Sequence, residues 1–139
     1  MSEEIESGLV LNIISLHSKI QKRIGSALSA HGIGVTEYLV LNQLYATPRH
    51  NMRRTDLADR VGLSPSGITR LINPMEKIGL VEKEANPRDA RVSLVALSAT
   101  GKKTFEEARV SFLHASAALF EHFGVKQLGA LSDLLKIVS

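Results

Sequence analysis

Residues Arg54 to Glu84 read RTDLADRVGLSPSGITRLINPMEKIGLVEKE. Leu57, Ala58 and Val61 recur at the spacing of one helical face, and Gly62 after them supplies a tight turn. Ser64 has the hydroxyl of a helix N-cap, followed by Pro65 at the first helical position, where its missing N–H costs nothing. The second helix places Ile68, Leu71, Ile72, Met75 and Ile78 inward, which leaves Ser66, Gly67, Thr69, Arg70 and Asn73 pointing away. Two short helices joined by a tight turn make a helix-turn-helix. Pro74 interrupts the second helix: it deletes the backbone donor to the Arg70 carbonyl and is expected to bend the half beyond it, leaving the first turns untouched.

A helix-turn-helix inserts the start of its second helix into the DNA major groove, so residues there must be small or able to bond base edges and phosphates. Ser66, Gly67, Thr69 and Arg70 meet both needs. Arg70 has the fork that matches guanine O6 and N7, while the helix N-terminus and the Ser64 hydroxyl suit a phosphate. Arg54 and Thr55, which open the preceding helix, join the candidate DNA-binding set with Asn73. Any surface helix shows Ser, Thr and Arg, so the flanks must carry the distinction.

After Gly79, LVEKEA and RVSLVAL alternate as two short strands joined by NPRDA, a hairpin. Its tip holds Arg88 and Arg91, which packing does not require there. A hairpin directly after a recognition helix is a wing, and an arginine at its tip suits an adjacent minor groove, whose narrow A·T-rich stretches concentrate negative potential. Asp89, two residues before Arg91, either pairs with that arginine and holds its direction or merely serves the turn, and the two roles are compatible.

Further out, the chain is helical at both ends. Ile5, Leu9, Ile13, Leu16, Ile20, Ile24 and Leu28 predict a long amphipathic helix that HGIG ends, and Thr36 is the expected cap of a second, carrying Tyr38, Leu39, Leu41 and Leu44. Phe105, Ala108, Phe112, Ala115, Leu119 and Phe123 mark another long stripe, and a last helix carries Leu128, Leu131, Leu135 and Val138. A small chain has little core in which to hide so many apolar stripes, which favours an obligate homodimer around a two-fold axis over packing within one chain alone. The basic charge lies in the middle: the net charge is −1 up to Pro48, +3 from Arg49 to Arg91 and +1 thereafter. That is a modest footprint for a polyanion such as double-stranded DNA. The absence of cysteine removes disulfides, thiolate zinc sites and thiol switches, the N-terminus is acidic, and no apolar run reaches the roughly 18 residues of a membrane span. A cytoplasmic location without membrane contact is the expectation.

Taken together, DLADRVGLSPSGITRLINPMEKIGLVEKEANPRDARVSLVALSATGKK resembles the winged helix-turn-helix of the MarR family, the multiple antibiotic resistance type of bacterial regulators. The helix-turn-helix, KIGLVEK, the wing pattern Asp89, Ala90, Arg91 and the LSATGKK that opens the next helix match in order and spacing, and the terminal helices extend the match over nearly the whole chain. The expected architecture is mainly α with a small β-hairpin wing: a single domain over residues 1–139, with a DNA-binding lobe at 36–97 and a helical dimerisation region at 1–31 and 99–139. The resemblance implies a homodimeric regulator, by expectation a repressor, on a palindromic operator. Ser64, Ser66, Thr69, Arg70 and Asn73 then fall on the recognition helix, and Arg88, Asp89 and Arg91 on the wing. It also implies a small, often phenolic or anionic, effector between the dimer helices and the DNA-binding lobe. His17, Tyr38 and His114 lie on helices suited to line such a cleft, although a histidine or tyrosine there is more often structural.

Enzymatic chemistry finds no support. His17, His31, His50, His114 and His122 are scattered, with no HExxH, nucleophile elbow, glycine-rich phosphate loop or carboxylate pair, and no cofactor is called for. The alternatives are a winged helix that binds protein, or a metal-responsive regulator drawing ligands such as His114, Glu121 or His122 from different helices.

Overall fold

The computed structural model describes all 139 residues, and its core is built around the second helix. That helix, α2 (Val35–Ala46), buries Tyr38, Val40, Leu41 and Leu44 on several sides, as a helix apolar around most of its girth must. Before it runs α1 (Ser2–Ser29); after it come β1 (Asn51–Arg53), α3 (Arg54–Val61), α4 (Pro65–Lys77), β2 (Val81–Ala85), β3 (Ser93–Leu97), α5 (Ala99–Leu119) and α6 (Val125–Val138). Ile24 and Leu28 of α1, Leu57 and Ala58 of α3, Ile68, Ile72 and Met75 of α4, and Phe105 and Ala108 of α5 close the core around α2. No helix is long and apolar enough to cross a membrane.

The mainly helical architecture with its small wing is as expected, with one addition. The sheet has three antiparallel strands in the order β1-β3-β2, and β1 pairs Asn51 with Ala96 and Arg53 with Leu94. A three-residue polar edge strand has too little alternation to be read from sequence.

Other local expectations need correction. Thr36 does not cap α2: Gly34 stands at the cap, and its N–H donates to Glu37 Oε1 at 2.7 Å. Ile78 is 59% exposed because the helix ends at Lys77 and the chain turns away. Phe123 lies beyond the end of α5 and is exposed. The α1 stripe is also divided: Ile24 and Leu28 are buried, whereas Ile5, Leu9 and Ile13 are half or more exposed. Helix α4 runs through Pro74 without a break.

The wing is seated on α5 by a junction of three residues. Ser98 caps α5, its hydroxyl accepting the Gly101 N–H at 2.9 Å, and the same hydroxyl lies 2.9 Å from the Leu80 carbonyl, which also accepts the Ser98 N–H. Gly101 is buried, and a β-carbon there would run into the Leu80 backbone carbonyl. Backbone cannot yield as a flexible side chain does. Gly101→Ala is therefore expected to lower stability by about 1–3 kcal/mol, although alanine ordinarily stabilises a helix relative to glycine. Urea unfolding of the two proteins checks this, and an unchanged midpoint would contradict the close approach.

Candidate nucleic-acid interface

The turn between α3 and α4 is set by backbone chemistry. Gly62 takes a left-handed conformation at φ 73°, and the Leu63 N–H donates back to the Ala58 carbonyl at 2.9 Å, closing α3. Ser64 then caps α4 as expected, its hydroxyl accepting the Gly67 N–H at 3.1 Å. A β-carbon at Gly67 would stand 3.1 Å from that hydroxyl, so a tight cap already gives a reason for a small residue there. Ile68, Ile72 and Met75 anchor the helix inward. Ser66, Thr69, Arg70 and Asn73 are exposed on the other side, and Arg70 Nε reaches back to the Ser66 carbonyl at 3.4 Å.

Of the two residues that open α3, Thr55 is exposed, whereas Arg54 is turned onto α4. Its guanidinium forms an ion pair with Glu76 Oε1 at 3.0 Å, and both side chains are about one-quarter exposed.

The wing tip is more ordered than its exposure suggests. Asn86 Oδ1 accepts the Arg88 N–H at 2.9 Å, and Asp89 Oδ1 accepts both the Arg91 N–H at 3.0 Å and Arg91 Nε at 3.2 Å. Asp89 thus serves the turn and aims Arg91 at once, while the Arg91 side chain remains 91% exposed. The Arg91 backbone N–H, then its guanidinium, hold the Asp89 carboxyl below the usual carboxylate range, and Arg53 adds to this.

Sequence reasoning missed Arg49, Asn51 and Arg53. With Arg88 they line an open polar cleft of about 480 Å³ at the base of the wing, where Asn51 donates to Glu84 Oε1 at 2.7 Å. None of the three arginines has a carboxylate partner. Their clustering depends on β1 pairing with β3, the strand whose pattern was too short to see.

The three candidate effector residues are not brought to one cleft within the chain. His17 and His114 are exposed on α1 and α5, and no cleft is lined by either of them or by Tyr38. The Tyr38 ring stacks on Phe112 with centroids 4.5 Å apart, and burial pushes its phenol up, with Arg109 opposing. His122 lies 3.5 Å from Glu121, but no three histidine or carboxylate side chains converge within the chain.

A recognition helix exposed beside an arginine-tipped hairpin defines a winged helix-turn-helix protein. The comparisons make the class specific: residues 33–93 match the MarR family model. The regulator PrsX of Escherichia coli is 24% identical over 132 residues, covering 87% of this chain and 80% of that one. Sco3205 of Streptomyces coelicolor, a MarR family regulator solved in complex with DNA, superposes with a TM-score of 0.87 at 22% identity over 96% of this chain and 88% of that one. CouR of Rhodococcus jostii RHA1, solved with p-coumaroyl-CoA bound, gives 0.85 at 23% identity over 94% and 90%. Over its winged helix-turn-helix lobe this chain thus matches the MarR family model, and the curated relatives it resembles are transcriptional regulators and not enzymes.

The wing makes a prediction with a definite sign. A depressed carboxylate contributes order above the free-carboxylate pKa and loses it as pH falls through the folded value. Lowering the pH through the ordinary carboxylate range is therefore expected to leave the Asp89–Arg91 tie intact, with release only below it. Side-chain carboxyl NMR reads this, and an ordinary Asp89 titration would refute it. Asp89→Asn keeps an oxygen for the Arg91 N–H and should preserve the turn, whereas Asp89→Ala should loosen it.

Proposed function

We propose that this regulator acts as a homodimer on a palindromic DNA operator, by expectation as a repressor, with each recognition helix in a major groove and each wing at the flanking minor groove. The observation that carries this reading is the exposed face of Ser66, Thr69 and Arg70 beside a wing whose Arg91 is held outward by Asp89. Two such faces separated by about 34 Å would meet successive major grooves on one side of a duplex. The proposed DNA-binding lobe is residues 36–97, and the proposed contacts are Thr55, Ser64, Ser66, Gly67, Thr69, Arg70 and Asn73, with Arg88 and Arg91 from the wing.

The dimer reading rests on apolar exposure. Leu9 and Ile13 of α1 and Leu134, Leu135, Ile137 and Val138 of α6 are all large and all at least 47% exposed. With Leu131 they surround a wholly apolar groove of about 360 Å³ between the two chain ends. Water would make such a surface costly on a monomer, and the same helices of a second copy would cover it. Residues 1–31 and 99–139 are accordingly the proposed dimerisation region. Sco3205 bound to DNA and CouR bound to p-coumaroyl-CoA lend support to operator binding and to control by a small effector. Here that effector would be phenolic or anionic and would meet His17, Tyr38 or His114 only once two chains come together. It would act by preferring a dimer whose two lobes have the wrong separation for DNA.

Two measurements test this. Sedimentation should give a dimer for the parent and a monomer for Ile13→Glu combined with Leu134→Glu; a monomeric parent would end the dimer reading. DNA affinity of the parent should fall steeply with salt and favour duplexes that it enriches from a randomised pool. Arg70→Ala and Arg91→Ala should each weaken the selected duplex by roughly 5- to 150-fold, the equivalent of about 1–3 kcal/mol. Binding without preference among duplexes would remove operator recognition.

A further inference from the structure

Arg54 occupies a position that helix electrostatics disfavour. It is the first residue of α3 and follows Arg53, so two guanidinium groups stand at the positive end of the helix dipole, with Asp56 alone to offset them in the first turn. Its side chain does not extend into solvent as a phosphate contact would. It crosses to α4, where Nη2 lies 3.0 Å from Glu76 Oε1 and 3.4 Å from Asn73 Oδ1, and Nη1 lies 3.5 Å from Thr69 Oγ1. Thr69, Asn73 and Glu76 are spaced by four and three residues and form one stripe of α4. The Glu76 contact is the short one and anchors the guanidinium; the two longer contacts fall where a planar fork held by Glu76 reaches its neighbours.

Arginine has donors and no acceptor, so the partners it touches must present oxygen to it. Asn73 therefore turns its carbonyl oxygen toward α3, which leaves its NH₂ group facing outward. Thr69 spends a lone pair on Arg54 and keeps its hydroxyl proton to give. Without the arginine, the Asn73 amide flips freely and offers either face.

We propose that Arg54, fixed by Glu76, is a positioning residue that sets the hydrogen-bonding polarity of Thr69 and Asn73. The recognition helix then presents donors to base edges rich in acceptors, guanine O6 and N7, adenine N7 or thymine O4, and disfavours the amino group of cytosine. This rests on the operator-binding reading above, and it moves Arg54 from contacting DNA to shaping what contacts it.

Glu76 makes the test decisive, because the two roles for Arg54 predict opposite effects of neutralising that carboxylate. If Arg54 were a phosphate contact, Glu76→Gln would free it and tighten binding to every duplex, and Arg54→Ala would reduce the salt slope by about 1. As a positioning residue, Arg54→Lys, which keeps the charge and loses the fork, and Glu76→Gln should each lower the affinity ratio between the enriched duplex and a scrambled one by roughly tenfold. The salt slope should stay unchanged, and repeating the selection with Glu76→Gln should admit cytosine at positions where the parent excludes it. In the free proteins, the Asn73 side-chain amide signals should shift or broaden in both variants while the backbone spectrum elsewhere holds, and unchanged Asn73 signals would overturn the proposal without reference to DNA. A parent that enriches no duplex overturns operator recognition and this inference with it. A selective parent whose Glu76→Gln variant keeps the same selectivity overturns this inference alone.

Discussion

The seat of Ser98 on the Leu80 carbonyl is the contact on which the arrangement of the molecule depends. Leu80 follows the turn that ends α4 and precedes β2, and Ser98 joins β3 to α5, so one hydroxyl meets the recognition helix, the wing and the long helix together. Gly101 makes the approach feasible by having no β-carbon where the Leu80 carbonyl lies. A close-packed junction of this kind transmits displacement instead of absorbing it. The junction therefore couples α5 to the wing and to the end of α4, the connection that the proposed control of DNA binding from a distance requires.

A second constraint is the mismatch between apolar content and core size. The buried residues come from α1 beyond its midpoint, from α2 to α4, from the sheet, from the first half of α5 and from the connections at Ile33, Leu80, Asn86 and Ser98; α6 buries none. The chain thus has a compact lobe and a pair of projecting, apolar, exposed ends. The lobe accounts for its own stability through the cluster around α2. The ends have no such account within one chain, and the exposed residues of α1 and α6 share one groove, so whatever covers one must cover the other.

The parts legible from sequence were those fixed by short-range chemistry. Ser64 and Pro65 at the start of α4, Gly62 at the turn and the alternation of β2 and β3 each act over a few residues, and each falls where the local pattern placed it. The failures are equally physical. Strand β1 exists because β3 offers an edge, not because Asn51, Met52 and Arg53 have a strand pattern. Thr36 looked like a cap, but Gly34 in extended backbone, with Glu37 reaching back to it, occupies that role two residues earlier. The Arg54–Glu76 pair spans 22 residues and two helices, a distance at which sequence periodicity is silent.

Charge illustrates the same limit in a form that bears on function. Nine basic residues between Arg49 and Arg91 outnumber six acidic ones, which on paper gives a weakly basic lobe. The fold sorts them unequally. Arg54 is committed to Glu76 and half-buried, whereas Arg91 is paired with Asp89 yet points almost wholly into solvent. Arg49, Arg53 and Arg88 gather at the wing base with no carboxylate of their own, and Glu84 beside them is already engaged by Asn51. The electrostatic pull on a polyanion is therefore concentrated at the wing and its base, because screening over about 10 Å leaves an incoming phosphate sensitive to local charge and not to the net value of the chain. The recognition helix adds Arg70, exposed and without a carboxylate partner, to a patterned set of hydrogen-bonding groups. In the proposed complex the wing side would supply most of the attraction, and α4 the discrimination.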